Sequence, residues 1–266
     1  SSRTTPAPLP FAAIPGLSAR MRVYAIGDVH GHLAKLEGAL ALIEADRAEC
    51  GDRDAPLVQV GDLVDRGPDS AATVDYLLDL TRADARVTVL LGNHDNMFVQ
   101  FMAESPRADP RLRADLTWLN PRLGGLETLA SYGVDIDAGP AEIHAQARQA
   151  VPSAHVAFLA SLPLSFAHGS CLFVHAGIRP GIPIANQDPE DLYWIRHRFL
   201  DSRANHGPLI VHGHTPVERV EHHGNRLAID TGAAYGGPLS AVVIEGRRAW
   251  LLTPQGRQEV TPRAAA

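Results

Sequence analysis

The chain has 266 residues, 45% of them hydrophobic and 20% charged, ordinary values for a globular protein with a real buried core. That length fits one large domain or two small ones. With 24 Lys and Arg against 30 Asp and Glu, the formal charge of −6 weighs against a broadly basic nucleic-acid binder. No apolar run approaches the roughly 20 residues of a membrane span, so no membrane partner is expected. Cys50 and Cys171 cannot build a disulfide framework, and neither sits in a CxxC zinc motif. The default reading is a reduced, cytoplasmic protein.

Residues 1–20 carry Pro6, Pro8, Pro10 and Pro15 without an apolar segment of signal-peptide type. They read as a flexible tail. Met21 marks where the fold begins, and a single domain is predicted over residues 21–256. Residues 257–266 read as a loose C-terminal tail.

Five short apolar runs end in a small residue and a metal-type ligand. Val23-Tyr24-Ala25-Ile26 leads into Gly27-Asp28-Val29-His30. Leu57-Val58-Gln59-Val60 leads into Gly61-Asp62. Val87-Thr88-Val89-Leu90-Leu91 leads into Gly92-Asn93-His94-Asp95. Cys171-Leu172-Phe173-Val174 leads into His175-Ala176-Gly177, and Leu209-Ile210-Val211 into His212-Gly213-His214. Such runs read as buried strands, each turning sharply at a glycine. Helical patterns over 33–43 and around Val74, Leu77 and Leu78 separate the first three. Asp62 follows Asp28 by 34 residues and Asn93 follows Asp62 by 31, the size of βαβ units. Parallel strands then bring their C-terminal ends, with the ligands, to one sheet edge.

Met97, Phe98, Phe101 and Met102 suggest a helix running on from the Asn93-His94-Asp95 turn. Residues 105–164 read as a helical insert, either a lid or a solvated layer. From residue 165 short strands dominate, at 171–174, 209–211, 226–230, 240–244 and 249–252. The predicted class is α/β, with two sheets packed as a β-sandwich and helices outside. His32 and His212 read as pointing away from the ligand set by alternation. His222-His223 reads as an exposed turn, and Cys171 as core.

The donors are carboxylate, amide and imidazole, with no thiolate. That mixture suits Mn, Fe or Zn better than a structural zinc site. Six donors exceed what one catalytic ion with an open position uses, and match two ions sharing a carboxylate. Each motif alone has an ordinary reading, as a Gly-Asp turn or an Asn helix cap. Their joint occurrence at five strand ends favours a metal site.

Gly27-Asp28-Val29-His30-Gly31, Gly61-Asp62-Leu63-Val64-Asp65-Arg66-Gly67, Gly92-Asn93-His94-Asp95, His175-Ala176-Gly177 and Gly213-His214-Thr215 resemble, in order, the signature blocks of the PPP-type metallophosphatases. The resemblance implies a calcineurin-like β-sandwich and two divalent metal ions, Mn being the first choice and Fe or Zn the alternatives. It implies that Asp28 and His30 hold the first ion, that Asp62 bridges, and that Asn93, His175 and His214 hold the second. His94 becomes the general acid, with Asp65 orienting its ring. Arg66 and Asn93 contact the phosphate, with Arg196 of Trp194-Ile195-Arg196 as a second arginine. Tyr235, after Asp230-Thr231-Gly232, is placed near the site.

The implied reaction is in-line attack on phosphorus by a hydroxide bridging the ions. Diadenosine tetraphosphate hydrolases often carry Ala where this chain has Asp65, which points to a bacterial-type phosphoprotein phosphatase. A dinucleotide hydrolase is the alternative, with Trp118 as the base-stacking candidate in the insert. The expected partner is a phosphoprotein or a small phosphoester.

Overall fold

The computed structural model describes residues 21–113 and 115–263, so the tail read over residues 1–20 lies outside the described residues. Strands β1 (Arg22–Ile26), β2 (Leu57–Gln59) and β3 (Val87–Val89) are parallel neighbours. Helices α1 (Leu33–Cys50) and α2 (Ser70–Ala83) make the crossovers. Helix α3 (Asn93–Phe101) starts four residues beyond β3, carrying Asn93 and His94 in its first turn.

Three later strands extend this sheet: β9 (Ala241–Glu245), β10 (Arg248–Thr253) and β11 (Gly256–Val260). The strand order is β11-β10-β9-β1-β2-β3. β11 corrects the expectation of a loose end from residue 257. It pairs antiparallel along β10, from Thr253↔Gly256 to Ala249↔Val260. Arg257, Gln258 and Glu259 hid it, because a sheet-edge strand with a solvated face need not be apolar.

The second sheet holds β4 (Ser165–His168), β5 (Cys171–Val174), β6 (Leu209–His212), β7 (Glu221–His222) and β8 (Arg226–Ala228). Its order is β4-β5-β6-β8-β7, with β5, β6 and β8 parallel. β7 overturns the reading of His222-His223 as an exposed turn. His222 is only 2% exposed, and its Nε2 lies 2.9 Å from the carbonyl oxygen of Arg247.

Strand alternation sorts the core into layers. Val23, Ala25, Val58 and Val242 face Phe173, Leu209, Val211 and Leu227 of the other sheet. Tyr24, Ile26 and Val243 face the opposite way, toward Leu36 and Ile43 of α1 and Leu77 of α2. Leu172, Val174 and Ile210 pack outward against Leu192, Ile195 and Phe199. The result is helices, sheet, sheet, helices.

Residues 105–164 hold α4 (Gly125–Ser131), α5 (Pro140–Ala150) and α6 (Ser153–Ser161). Their Leu129, Ile143, Ala147 and Leu159 share one apolar cluster with Leu36 and Phe98. The helices therefore pack as a layer on the first sheet and do not stand off as a detached lid. No helix among the described residues is long and apolar enough to cross a membrane.

A candidate metal centre at the strand ends

The five motifs converge where β1, β2, β3, β5 and β6 end. His30, Asp62 and His94 form one group of potential ligands; Asp62, His175 and His214 form another. Within each group the ligand atoms lie within 4.8 Å of one another, and all five residues are buried. Two buried His/Asp clusters sharing one carboxylate are the arrangement a dinuclear metal site uses.

The backbone here is unusual. Among the described residues, the non-glycine positions with positive φ are His30, Asp62, Asp65, Arg66 and His214. All five belong to the predicted site. Left-handed backbone at such residues is costly and persists where surrounding structure fixes it. Asp95 supplies much of that fixing. Its buried carboxylate accepts the N–H groups of Asp62 at 2.9 Å, Leu63 at 2.8 Å and Gly92 at 2.9 Å. Two glycines permit the close approach. A Cβ on Gly92 would strike Asp62 Oδ1, and one on Gly213 would strike Asp28 Oδ1.

The imidazoles are oriented by their outer nitrogens. His30 Nδ1 lies 2.8 Å from the Val64 carbonyl, and His175 Nδ1 lies 2.8 Å from that of Val60. A carbonyl only accepts, so these Nδ1 atoms carry hydrogen and Nε2 faces the centre. His175 Nε2 then sits 3.0 Å from Asn93 Oδ1 and 3.4 Å from Asp62 Oδ1. A nitrogen between two oxygens draws positive charge. Burial opposes protonation, but the Asp62 carboxylate outweighs it and raises His175 to about 10. Burial holds His30 and His94 down near 3. Burial and the nearby Asp230 carboxylate push Asp28 well above the usual carboxylate range.

Asp28 supplies a further test of fit. Its Oδ2 accepts the His214 N–H at 2.9 Å, while its buried Oδ1 has no hydrogen-bond partner among the described residues. A buried acceptor left without a donor suits a cation. Carboxylate, amide and imidazole donors together fit Mn, Fe or Zn. Asp28 and Asn93 lie outside the two ligand groups proper, each beside one of their members.

The remaining predicted residues surround this centre. His94 Nδ1 lies 2.6 Å from Asp65 Oδ2. Arg66 donates to His30 Nε2 at 2.8 Å and His94 Nε2 at 2.9 Å; Arg196 donates to His214 Nε2 at 3.0 Å. Tyr235, 66% exposed, lines the same cleft with Arg66 stacked on its ring at 5.2 Å. Trp118 is different from its sequence reading. It is 5% exposed, with its indole N–H on Asp65 Oδ2, and so offers no face to a base. His212 is buried against Phe199, with its Nδ1 3.1 Å from the Gly213 oxygen. Asp95, Asp230 and Thr128 have no site role in the sequence reading, and Trp118 has there a base-stacking role in place of its contact with Asp65. Asp95 and Asp230 stand inside the quoted segments Gly92-Asn93-His94-Asp95 and Asp230-Thr231-Gly232; nothing local ties Trp118 or Thr128 to Asp65.

Comparison with known proteins agrees with this architecture. A symmetrical bis(5'-nucleosyl)-tetraphosphatase of Nitrosospira multiformis is 27% identical, over 86% of this chain and 94% of its own. Serine/threonine-protein phosphatase 1 of Salmonella typhimurium is 28% identical, over 84% and 92%. The crystal structure of a cold-active protein-tyrosine phosphatase from a psychrophilic Shewanella species superposes with a TM-score of 0.58 at 18% identity, over 91% of this chain and 81% of that one. Further relatives at 26% identity are also named bis(5'-nucleosyl)-tetraphosphatases, of the asymmetrical kind. The model of the calcineurin-like phosphoesterase family matches residues 21–243, and the chain belongs to that family.

Proposed function

We propose that this phosphoesterase hydrolyses dinucleoside polyphosphates at a two-metal centre. The observation that carries the reading is the pair of buried ligand groups sharing Asp62, set beneath Arg66 and Arg196. Asp28, His30 and Asp62 would hold one ion; Asp62, Asn93, His175 and His214 would hold the other. Mn is the metal we favour. When bound, such ions supply a nucleophile from water near neutral pH and neutralise charge on the transferring phosphoryl group.

The chain's own residues do the rest. Asp65 fixes the His94 ring so that Nε2 faces the cleft, from where it can protonate the leaving oxygen. The guanidiniums of Arg66 and Arg196 turn from the imidazole nitrogens to the phosphate oxygens, which their planar forks match. Asn93 adds an amide donor. Tyr235 presents an exposed ring beside Arg66, a platform for a nucleobase next to a phosphate grip.

The named relatives support this substrate class, because tetraphosphatases match most of the chain even with Asp65 in place. Asp65 is therefore a weak marker of branch. Phosphoprotein hydrolysis is the second reading, favoured by the similarity to the Salmonella phosphatase over 84% of this chain. One panel separates them: the metal-stripped protein is restored with Mn and assayed on diadenosine tetraphosphate, a phospho-Thr peptide and a phospho-Tyr peptide. The highest kcat/KM is expected on the dinucleotide. A clear preference for either peptide would reverse the assignment.

A further inference from the structure

A second concentration of positive charge lies at the other end of the second sheet. A cavity of about 920 Å³ opens beside the starts of β6 and β8, within the size range of small-molecule pockets. Arg203, Arg226, Arg247 and Arg263 are among the described residues that line it, together with Asp201.

Arg226 is the unusual member. It is 7% exposed, yet it forms no ion pair among the described residues. One terminal nitrogen lies 3.3 Å from His212 Nε2, and the other donates to the Leu200 carbonyl at 3.1 Å. Its buried Nε has no hydrogen-bond partner among the described residues. A buried charge without a counter-charge is costly, so such groups are ordinarily paired. Arg247 is likewise held by neutral groups, the carbonyls of Gly207 and Gly224, each at 2.9 Å. Those contacts fix its guanidinium at the cavity without cancelling its charge. Arg263 does have a carboxylate, but Glu221 is shared with His223.

Arg226 and Arg247 thus present to the cavity forked donors of set direction whose charge no carboxylate pairs among the described residues. Such forks suit oxyanions with several oxygens. No Phe, Tyr or Trp is among the described residues that line it, so these offer no platform for a base. We propose that this cavity is a binding site for a compact polyphosphate anion, of the pyrophosphate or triphosphate class, distinct from the metal centre.

The test is calorimetric titration of inorganic pyrophosphate into the full chain in the presence of a chelator. Arg66→Ala and Arg196→Ala are included to remove phosphate binding at the candidate centre. Saturable binding is expected to survive in that background. Adding Arg203→Glu and Arg247→Glu is expected to weaken it at least about tenfold, since each guanidinium–phosphate pair is a charge-assisted interaction. Arg226 itself is left intact, because removing a buried residue risks the fold. Charge reversal at Arg82 and Arg113, exposed and remote from the cavity, is the control. Loss of all binding in the Arg66→Ala/Arg196→Ala background overturns the proposal. So does unchanged affinity after charge reversal at Arg203 and Arg247, or equal weakening in the control.

Discussion

Trp118 donates its indole N–H to Asp65 Oδ2 at 2.9 Å, and that same oxygen lies 2.6 Å from His94 Nδ1. Thr128 Oγ1 donates to the other oxygen of Asp65 at 2.7 Å. Both donors come from the segment after α3, so the helical layer sets the direction of a carboxylate that sets the direction of a histidine. Burial pushes Asp65 up to about 7, against the donated hydrogen bonds of Thr128 and Trp118.

Trp118→Phe keeps the ring and deletes the donor. A hydrogen bond to a charged acceptor is worth about 1.5–3 kcal/mol, so kcat on an alkyl phosphoester should fall about tenfold or more. KM should hardly move. With p-nitrophenyl phosphate, whose leaving group needs little protonation, the loss should be under about threefold if Trp118 acts through the acid. Equal losses on the two substrates would mean that Trp118 merely supports the fold.

His94→Asn tests the acid itself. Turnover of an alkyl phosphoester should drop by about 10²–10⁴-fold, the usual contribution of a positioned acid. Two ions per chain should remain by elemental analysis, because His94 is not among the proposed ligands. It does share a ligand-sized group with His30 and Asp62, however. Loss of one ion in this variant would therefore move His94 from acid to ligand.

The ligand-bearing strand ends were legible because each is a local event: a β-branched run, a glycine, a ligand. His30, Asp62 and His214 needed no long-range information to be noticed. The partners that hold them did. Trp118 meets Asp65 across 53 residues, and nothing in its own neighbourhood marks it. Asp95 is adjacent to His94, but its work is to collect N–H groups from a loop some thirty residues earlier. β7 and β11 were missed for a related reason. Two residues of β7 carry too little periodicity to register, and β11 takes its order from pairing with β10. Patterns along the chain reveal what an element buries and conceal what it borrows from a distant partner.

Gly213→Ala tests the close packing of the centre. The added methyl group would strike Asp28 Oδ1, the acceptor without a donor. Metal affinity should fall at least about tenfold, as it does when a ligand's surroundings are disturbed. Gly38→Ala is the contrast. Gly38 sits in α1, where an added Cβ meets nothing within 4 Å. It should keep its metal and gain about 0.5–1 kcal/mol of stability from helix propensity. Equilibrium dialysis and thermal melts on both variants decide the matter. Full metal retention in Gly213→Ala would show that Asp28 can shift without consequence.

Asp46 makes a prediction about pH far from the metal centre. It lies in α1, 7% exposed, and accepts from Arg257 Nε at 2.6 Å, Arg257 Nη2 at 2.8 Å and Tyr24 Oη at 2.7 Å. Burial alone would raise its pKa, but the hydrogen bonds from Arg257 and Tyr24 prevail and hold it below the usual value. A folded-state pKa below the unfolded value of about 3.9 means that ionised Asp46 stabilises the fold above that pH. The contribution is lost as pH falls through the lower, folded value. Asp46→Asn should therefore cost about 1.5–3 kcal/mol near pH 7, the worth of charge-assisted hydrogen bonds. Denaturant titrations at pH 7 and again near pH 2 should show the gap between the two proteins closing at the acid end. A gap of the same size at both pH values would assign the effect to shape, with the Asp46–Arg257 charge pair contributing nothing.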